Sequence, residues 1–322
     1  MKIAVSLNEK ILEYSRILDR NIAASDHLNS LFAKKVPYSG KPAAKQLDPL
    51  TYSKNPYFSL IKGLRFEQGH SRLKEGTYQK KELFLADETY GDPKDHYLEV
   101  NPLGYFAEPF PFPELQKKAE TWMSLIPHEM ASMTAPIASA HGKVLTLGLG
   151  LGYFAFMVSE KAEVTSVDVI ENDPEIIAIF NEKLLPLFPH KSKIHILEED
   201  ALLFAAKRNP VYDTVFVDLY HTEEDGLPLY LALKPLQKNL LAPKGHCDYW
   251  IERSLLAGLR RYAIALLDEE RQGSSDKDYP TSDDPEAEIF RKLHFAAKKV
   301  VLSTSSDLDL FLSDQSLSQL VG

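Results

Sequence analysis

The sequence predicts an α/β fold: a mostly parallel sheet with helices on both faces, preceded by a smaller α+β domain. Three observations carry this. From His141 onward, short apolar runs alternate with helix-like segments, and that rhythm implies parallel strands joined by crossovers. The apolar run 144-VLTLGLGLGYFAFMV-158 carries Gly148, Gly150 and Gly152 one residue apart, where a strand must turn sharply into a helix. Residues 69–113 show a different pattern, short extended runs cut by Gly, Pro and Asp.

Taken in order, residues 6 to 33 read as one amphipathic helix. Ser6 and Glu9 have capping-box spacing, and Ile11, Tyr14, Leu18, Ile22, Leu28 and Phe32 recur on one face. The loop KKVPYSGKPAAKQLDP follows, and its lysines (Lys34, Lys35, Lys41 and Lys45) read as a solvated linker. GTYQKKELFLADETYGDP and HYLEVNPLGYF suggest strands and turns, closed by EPFPFPEL. Helices are expected over Leu115 to Leu125 and Pro127 to Ser139, with Pro127 in the first turn.

Beyond His141 the expected pairs are VLTLGLG with a helix from Gly152, VTSVDVI with DPEIIAIFNEKLL, and KIHIL with ALLFAAKR. TVFVDLY then pairs with LPLYLALKPLQKNLL, and HCDYWI with a helix from Glu252 to about Glu270. The acidic stretch 273–288 reads as a lid or a plain connection. A further helix leads to KKVVLSTS and LDLFLSD, expected as two final strands making an antiparallel addition at one sheet edge. The domains so implied are 1–140 and 141–322.

Composition narrows the function. A formal net charge of −9 disfavours partners held through phosphates, so no nucleic acid is expected. Cys247 is the only cysteine, which excludes an internal disulfide and fits a reducing cytoplasm. The N-terminal MKIAVSLNEK lacks a signal-like apolar core, and no apolar run approaches the roughly 20 residues a bilayer requires. No metal-ligand spacing stands out. The expected partner is a small-molecule substrate, and a homo-oligomer is expected.

Chemistry concentrates at the glycines. A strand that runs into spaced glycines and then a helix offers free backbone N–H groups to an anionic part of a ligand. Gly150-x-Gly152-x-x-Ala155 satisfies the relaxed dinucleotide fingerprint, with Glu171 at 171 − 150 = 21 residues on. The same loop reads equally as the G-x-G-x-G of enzymes that use S-adenosylmethionine. The triplet alone leaves both open, together with a tightly packed corner.

The remaining landmarks bring a resemblance. VLTLGLGLG, 168-DVIENDPEII-177, 199-EDALLF-204, and 213-DTVFVDLY-220 leading to 239-NLLAPKGHCDYWI-251 occur in the order seen in class I S-adenosylmethionine-dependent methyltransferases. That resemblance implies a Rossmann-like seven-stranded sheet, mostly parallel with an antiparallel edge strand. It implies S-adenosyl-L-methionine as cofactor, held around Gly148, Leu149, Gly150 and Gly152. Glu171 would accept from the ribose hydroxyls, Asp200 with Ala201 would meet the adenine, and Asp218 would close the site.

Within the class the chain is most similar to the spermidine-synthase-like branch and to bacterial methyltransferase-like proteins. The β-rich segment precedes the cofactor domain, and 128-HEM-130 stands 148 − 129 = 19 residues before the glycines. It departs from polyamine synthases by GLGLG in place of a G-G-G-D-G-G type loop. In 218-DLYH-221, Asp218 is retained and His221 replaces a second acid. Asp218 and His221 are therefore the expected catalytic pair. The expected activity is methyl transfer to a small molecule; aminopropyl transfer and cofactor binding without catalysis are the alternatives. Tyr220, Tyr249 and Trp250 belong to the pocket or to the core, and Glu223, Glu224 and Asp225 favour a helix N-terminus.

Overall fold

The computed structural model describes residues 1–322 except 119, 208–210, 274–280 and 283. Five strands form its parallel sheet: β1 (Gly142–Leu147), β2 (Val164–Glu171), β3 (Ile194–Glu198), β4 (Tyr212–Val217) and β5 (Leu241–Tyr249). Their order is β3-β2-β1-β4-β5, and every pairing is parallel. The chain reverses its direction of travel beside β1, which places a topological switch point there. Val144, Leu145 and Leu147 on β1, and Val215, Phe216 and Val217 on β4, are buried on both faces, so these strands read as near-continuous apolar runs.

The sheet differs from the expected seven strands. Val301–Leu302 pairs parallel with Lys2–Ile3 in a separate two-stranded sheet. LDLFLSD is not a strand: Ser305–Phe311 is a helix. The reason is local. The Thr304 hydroxyl accepts from Asp307 N–H, and the Asp307 carboxylate accepts from Thr304 N–H at 2.8 Å. This reciprocal cap satisfies N–H groups that a strand would have to pair elsewhere.

The expected helix over Leu115 to Leu125 is instead a hairpin arm. Strands Phe110–Lys117 and Glu120–Ser124 pair antiparallel at one edge of a four-stranded sheet that also contains Ser71–Tyr78 and Phe66–Gln68. The register shifts between Thr121 and Met123, a bulge that re-aims Trp122 and Met123. The run Pro127 to Ser139 divides into helices Pro127–Ser132 and Thr134–Ser139.

The N-terminal helix is Asn8–Ala33, after a 3₁₀ turn at Val5–Leu7. Ser6 makes no side-chain cap, because Leu7 occupies the N-cap position. Ile11 and Tyr14 of this helix join the same core as the parallel sheet. Part of the acidic stretch read as a lid lies outside the described residues; within the rest, Asp284 caps helix Pro285–Ala297. Among the described residues, no helix is long and apolar enough to cross a membrane.

Candidate functional site

A cavity of about 930 Å³ opens beyond the carboxyl ends of the parallel strands. Each strand delivers a lining residue just at or past its end: Gly148 from β1, Glu171 from β2, Asp200 from β3, Asp218 from β4 and Trp250 from β5. Ligands in open α/β sheets bind at this place. Small-molecule pockets span about 300–1,000 Å³, and this cavity stands near the upper end of that range.

All three glycines have positive φ, +99° at Gly148, +52° at Gly150 and +79° at Gly152, a backbone region that side chains strain. Each also stands where a Cβ would overlap a neighbour: the Asp218 carbonyl oxygen at Gly148, the Met123 thioether at Gly150 and the Phe180 ring at Gly152. Gly148, Leu149 and Gly150 line the cavity, whereas Gly152 does not. Gly152 serves the turn into helix Tyr153–Ser159 and its packing on Phe180. From behind, the Tyr57 hydroxyl donates to the Leu151 carbonyl and so braces the loop.

The acids of the site differ sharply in how they are held. Glu171 Oε2 accepts from Leu149 N–H at 3.1 Å, and Oε1 accepts from the N–H groups of Asn172 and Asp173, both at 2.9 Å. Burial raises its carboxyl above the ordinary range, opposed by those backbone donors and by Lys117. Of roughly four acceptor positions on a carboxylate, three are in use. Asp200 is the N-cap of helix Ala201–Ala206, its Oδ1 accepting from Leu203 N–H at 2.8 Å.

Asp218 has no such cradle. Burial, followed by the charge of Glu171, pushes its carboxyl up to about 7. Glu129 shares the cavity lining, and its Oε2 is buried without a hydrogen-bond partner among the described residues. Burial and the charge of Asp218 raise Glu129 well above the carboxylate range. Beside it, burial holds the His128 imidazole down at about 4, so it is neutral at physiological pH.

His221 lies at the exposed rim. Its Nδ1 is 3.2 Å from Asp225 Oδ2, and its ring meets Trp122 edge-on at 5.0 Å. Asp225 also completes a capping box with Thr222, so the acidic run does start a helix, Glu223–Leu233. Tyr220 donates to the Trp250 carbonyl at 2.6 Å, and the Trp250 indole N–H donates to Ser132 at 2.9 Å. Both residues line the cavity while remaining almost wholly buried; Tyr249 belongs to the core.

Several lining residues escaped the sequence reading. Trp122 and Met123 come from the misread hairpin, and Met123 Sδ accepts from Leu151 N–H at 2.9 Å, over the glycine loop. The β-branched Thr121 beside the aromatic Trp122 in 120-ETWMS-124 was the available signal. Ser25, Asn29 and Phe32 of the N-terminal helix form a distant wall, for which no local pattern exists. The lining is acidic overall: Glu129, Glu171, Glu199, Asp200, Asp218, Glu223 and Glu224 face one guanidinium, Arg261. Arg261 is itself paired with Glu99 through two hydrogen bonds.

The structure is thus a mixed α/β fold built on a parallel sheet, with a cavity at its switch point. No protein-family model matches the chain, and no curated protein matches it. Among solved structures it is similar to the spermidine synthase of Thermotoga maritima, at 16% identity and a TM-score of 0.36, over 48% of this chain and 55% of that one. It is also similar to a spermidine synthase in complex with the transition-state analogue AdoDATO, at 17% identity and a TM-score of 0.33, over 48% and 55%. A putative O-methyltransferase from Klebsiella pneumoniae matches at 17% identity and a TM-score of 0.27, over 46% and 57%. The chain thus spans little more than half the length of these structures, and what they bind is a property of those proteins.

Proposed function

We propose that the protein is an S-adenosyl-L-methionine-dependent transferase that methylates a small-molecule acceptor. One observation carries this: the glycine loop, Glu171, Asp200 with Ala201, and Asp218, separated in sequence, line a single cavity. The donor set suits such a cofactor: the backbone of the glycine loop and the Glu171 carboxylate would hold ribose hydroxyls, and the acidic lining would offset the charge of a sulfonium. When bound, the cofactor supplies a methyl group on a sulfonium, an electrophile that needs only an aligned nucleophile.

The protein's work is then placement, which can contribute about 7–11 kcal/mol. Gly148, Leu149 and Gly150 offer backbone at close range, and Glu171 retains one acceptor position for a ribose hydroxyl. Asp218, with a carboxyl near neutrality, is suited to take a proton from the acceptor, a role typically contributing 10²- to 10⁴-fold. His221 is the second candidate. If its Nδ1 donates to Asp225, Nε2 faces away as a lone-pair acceptor. A cytoplasmic location, a homo-oligomeric state and the division into 1–140 and 141–322 belong to the same proposal.

The acidic lining favours a second reading, aminopropyl transfer from the decarboxylated cofactor to a cationic amine. Calorimetric titration with S-adenosylmethionine, its decarboxylated form, S-adenosylhomocysteine and NAD separates these readings. Methyl transfer predicts binding of S-adenosylmethionine and S-adenosylhomocysteine, which retain the amino-acid carboxylate, weakened in Glu171→Ala. A preference for the decarboxylated form turns the assignment to aminopropyl transfer. Absence of binding by every adenosyl compound overturns both.

A further inference from the structure

One wall of the cavity carries no charge. Ser25, Asn29 and Phe32 of helix Asn8–Ala33 stand at i, i+4 and i+7, so they share one face over about 10 Å of helix. Leu85 and Thr89 continue that wall. We infer, resting on the cofactor reading above, that this wall is the acceptor subsite and that it takes an uncharged molecule. The apolar body of the acceptor lies against Phe32 and Leu85, and a hydroxyl or amide is hydrogen-bonded at Ser25 and Asn29.

A run of polar contacts fixes this helix face at the cavity. One turn before Ser25, the buried Asn21 side chain accepts from Glu99 N–H at 3.0 Å. The Glu99 carboxylate accepts two hydrogen bonds from the Arg261 guanidinium, which also stands 3.9 Å from Glu223, in the first turn of helix Glu223–Leu233. Arg261 and Glu223 both line the cavity, so the run ties the N-terminal helix to its β4 side. The far part of the helix is also packed apart from its start. Ile11 and Tyr14 belong to the main core, whereas Leu28 forms a small cluster with Leu83 and Leu103, against which Phe32 and Leu85 pack.

Charge and hydrogen bonding select the ligand. Glu171, Asp200 and Asp218 stand at the strand ends, the cofactor side of the cavity, and Glu224 is exposed to water. Arg261 is the one lysine or arginine among the described lining residues, and it lies between two carboxylates. No cation is therefore left for a phosphate or carboxylate on the acceptor. A charged group of either sign would be desolvated against Phe32 and Leu85 without a counter-charge in the wall. The side chains of Ser25 and Asn29 have no partner among the described residues, which leaves their donors and acceptors to a ligand. Apolar surface with a few convergent polar groups is the usual make-up of a small-molecule site.

The test uses N-phenyl-1-naphthylamine, an uncharged aromatic amine whose fluorescence rises in apolar surroundings, and its anionic relative 1-anilinonaphthalene-8-sulfonate. The full chain is titrated with each, alone and with S-adenosylhomocysteine present. Saturable binding of the uncharged probe is expected, about tenfold or more tighter than that of the sulfonate, and retained with S-adenosylhomocysteine bound. Phe32→Ser and Leu85→Ser should each weaken it by about fivefold or more. Ser25→Trp fills the space before the wall without removing packing and should abolish it. The affinity for S-adenosylhomocysteine should stay unchanged in all three variants, with circular dichroism confirming folding. Absence of saturable binding, equal binding of the sulfonate, displacement by S-adenosylhomocysteine, or undiminished binding in folded Ser25→Trp overturns the inference and leaves the cofactor reading intact. Failure of S-adenosylhomocysteine to bind overturns the cofactor reading, and the acceptor role of the wall with it.

Discussion

The ends of β2 and β4 flank the same glycine loop, and each presents an acid to the same cavity, yet the two acids are held differently. Glu171 accepts from three backbone N–H groups, which oppose the desolvation of its charge. Asp218 lies half-buried beside Glu171 with no such donors among the described residues, and desolvation followed by the charge of Glu171 pushes its carboxyl up to about 7. The lesson is that depth in the fold does not by itself set the charge of a carboxylate. The donors and charges within reach act against it or with it. Burial raises both carboxyls, at the β2 end against three backbone donors and at the β4 end with the charge of Glu171 added.

Gly148 joins the two ends, so substituting it gives the largest expected effect. Its N–H donates to the Ile170 carbonyl of β2 at 2.8 Å, and a Cβ there would overlap the Asp218 carbonyl oxygen. Gly148→Ala should cost about 3 kcal/mol or more, combining backbone strain with a clash that no rotamer relieves. A fall in the urea midpoint at unchanged m-value measures it.

Glu171→Gln tests the β2 end alone. It keeps shape but removes the charge from three donors, and the loss should be about 1–3 kcal/mol. It should also lower the Asp218 carboxyl, because the Glu171 charge is one of the two causes of its elevation. Titration of Asp218 followed by carbon-13 NMR would show that shift; an unmoved carboxyl would separate the two ends.

The β4 end makes its own prediction in pH. The folded pKa of Asp218 is raised, so the native state binds the proton more tightly than the unfolded chain. That contribution is fully present below the ordinary carboxylate value near 4 and is lost as pH rises through about 7. Replacement by a neutral isostere, Asp218→Asn, should therefore flatten the decline in stability over this window. Solvent screening at a partly exposed site limits the difference to roughly 1–2 kcal/mol. Chemical denaturation at pH values across that window checks it.

His221→Ala should have the smallest effect on stability. The imidazole and its Asp225 partner are both exposed, and such pairs contribute about 0.2–1 kcal/mol. A large loss of transfer rate with stability nearly unchanged would then mark a chemical role for His221 rather than a structural one.

Much of the β-sheet was legible because its signals are short. VLTLGLG, VTSVDVI, KIHIL and TVFVDLY are compact apolar runs, each containing or followed by a glycine or an acid, and each supplied a strand ending at the cavity. The failures were also physical. LDLFLSD alternates like a strand, but the Thr304–Asp307 cap starts a helix there. The stretch from Leu115 to Leu125 has helix-like spacing, yet pairing with Ser71–Tyr78 and a bulge at Trp122 draw it into a sheet. Gly152 lies in the motif but spends its missing side chain on Phe180.

By itself the sequence determined the alternation of strand and helix, the glycine turn and the acids at the strand ends. These depend on residues within a few positions of one another, where periodicity and backbone preference act directly. The tertiary structure decided the rest: which glycine faces the cavity, that Met123 and the N-terminal helix wall it, and that Glu129 and Asp218, 218 − 129 = 89 residues apart, line it together. Charge state is set by desolvation and by neighbours in space, and neither exists until the chain has folded.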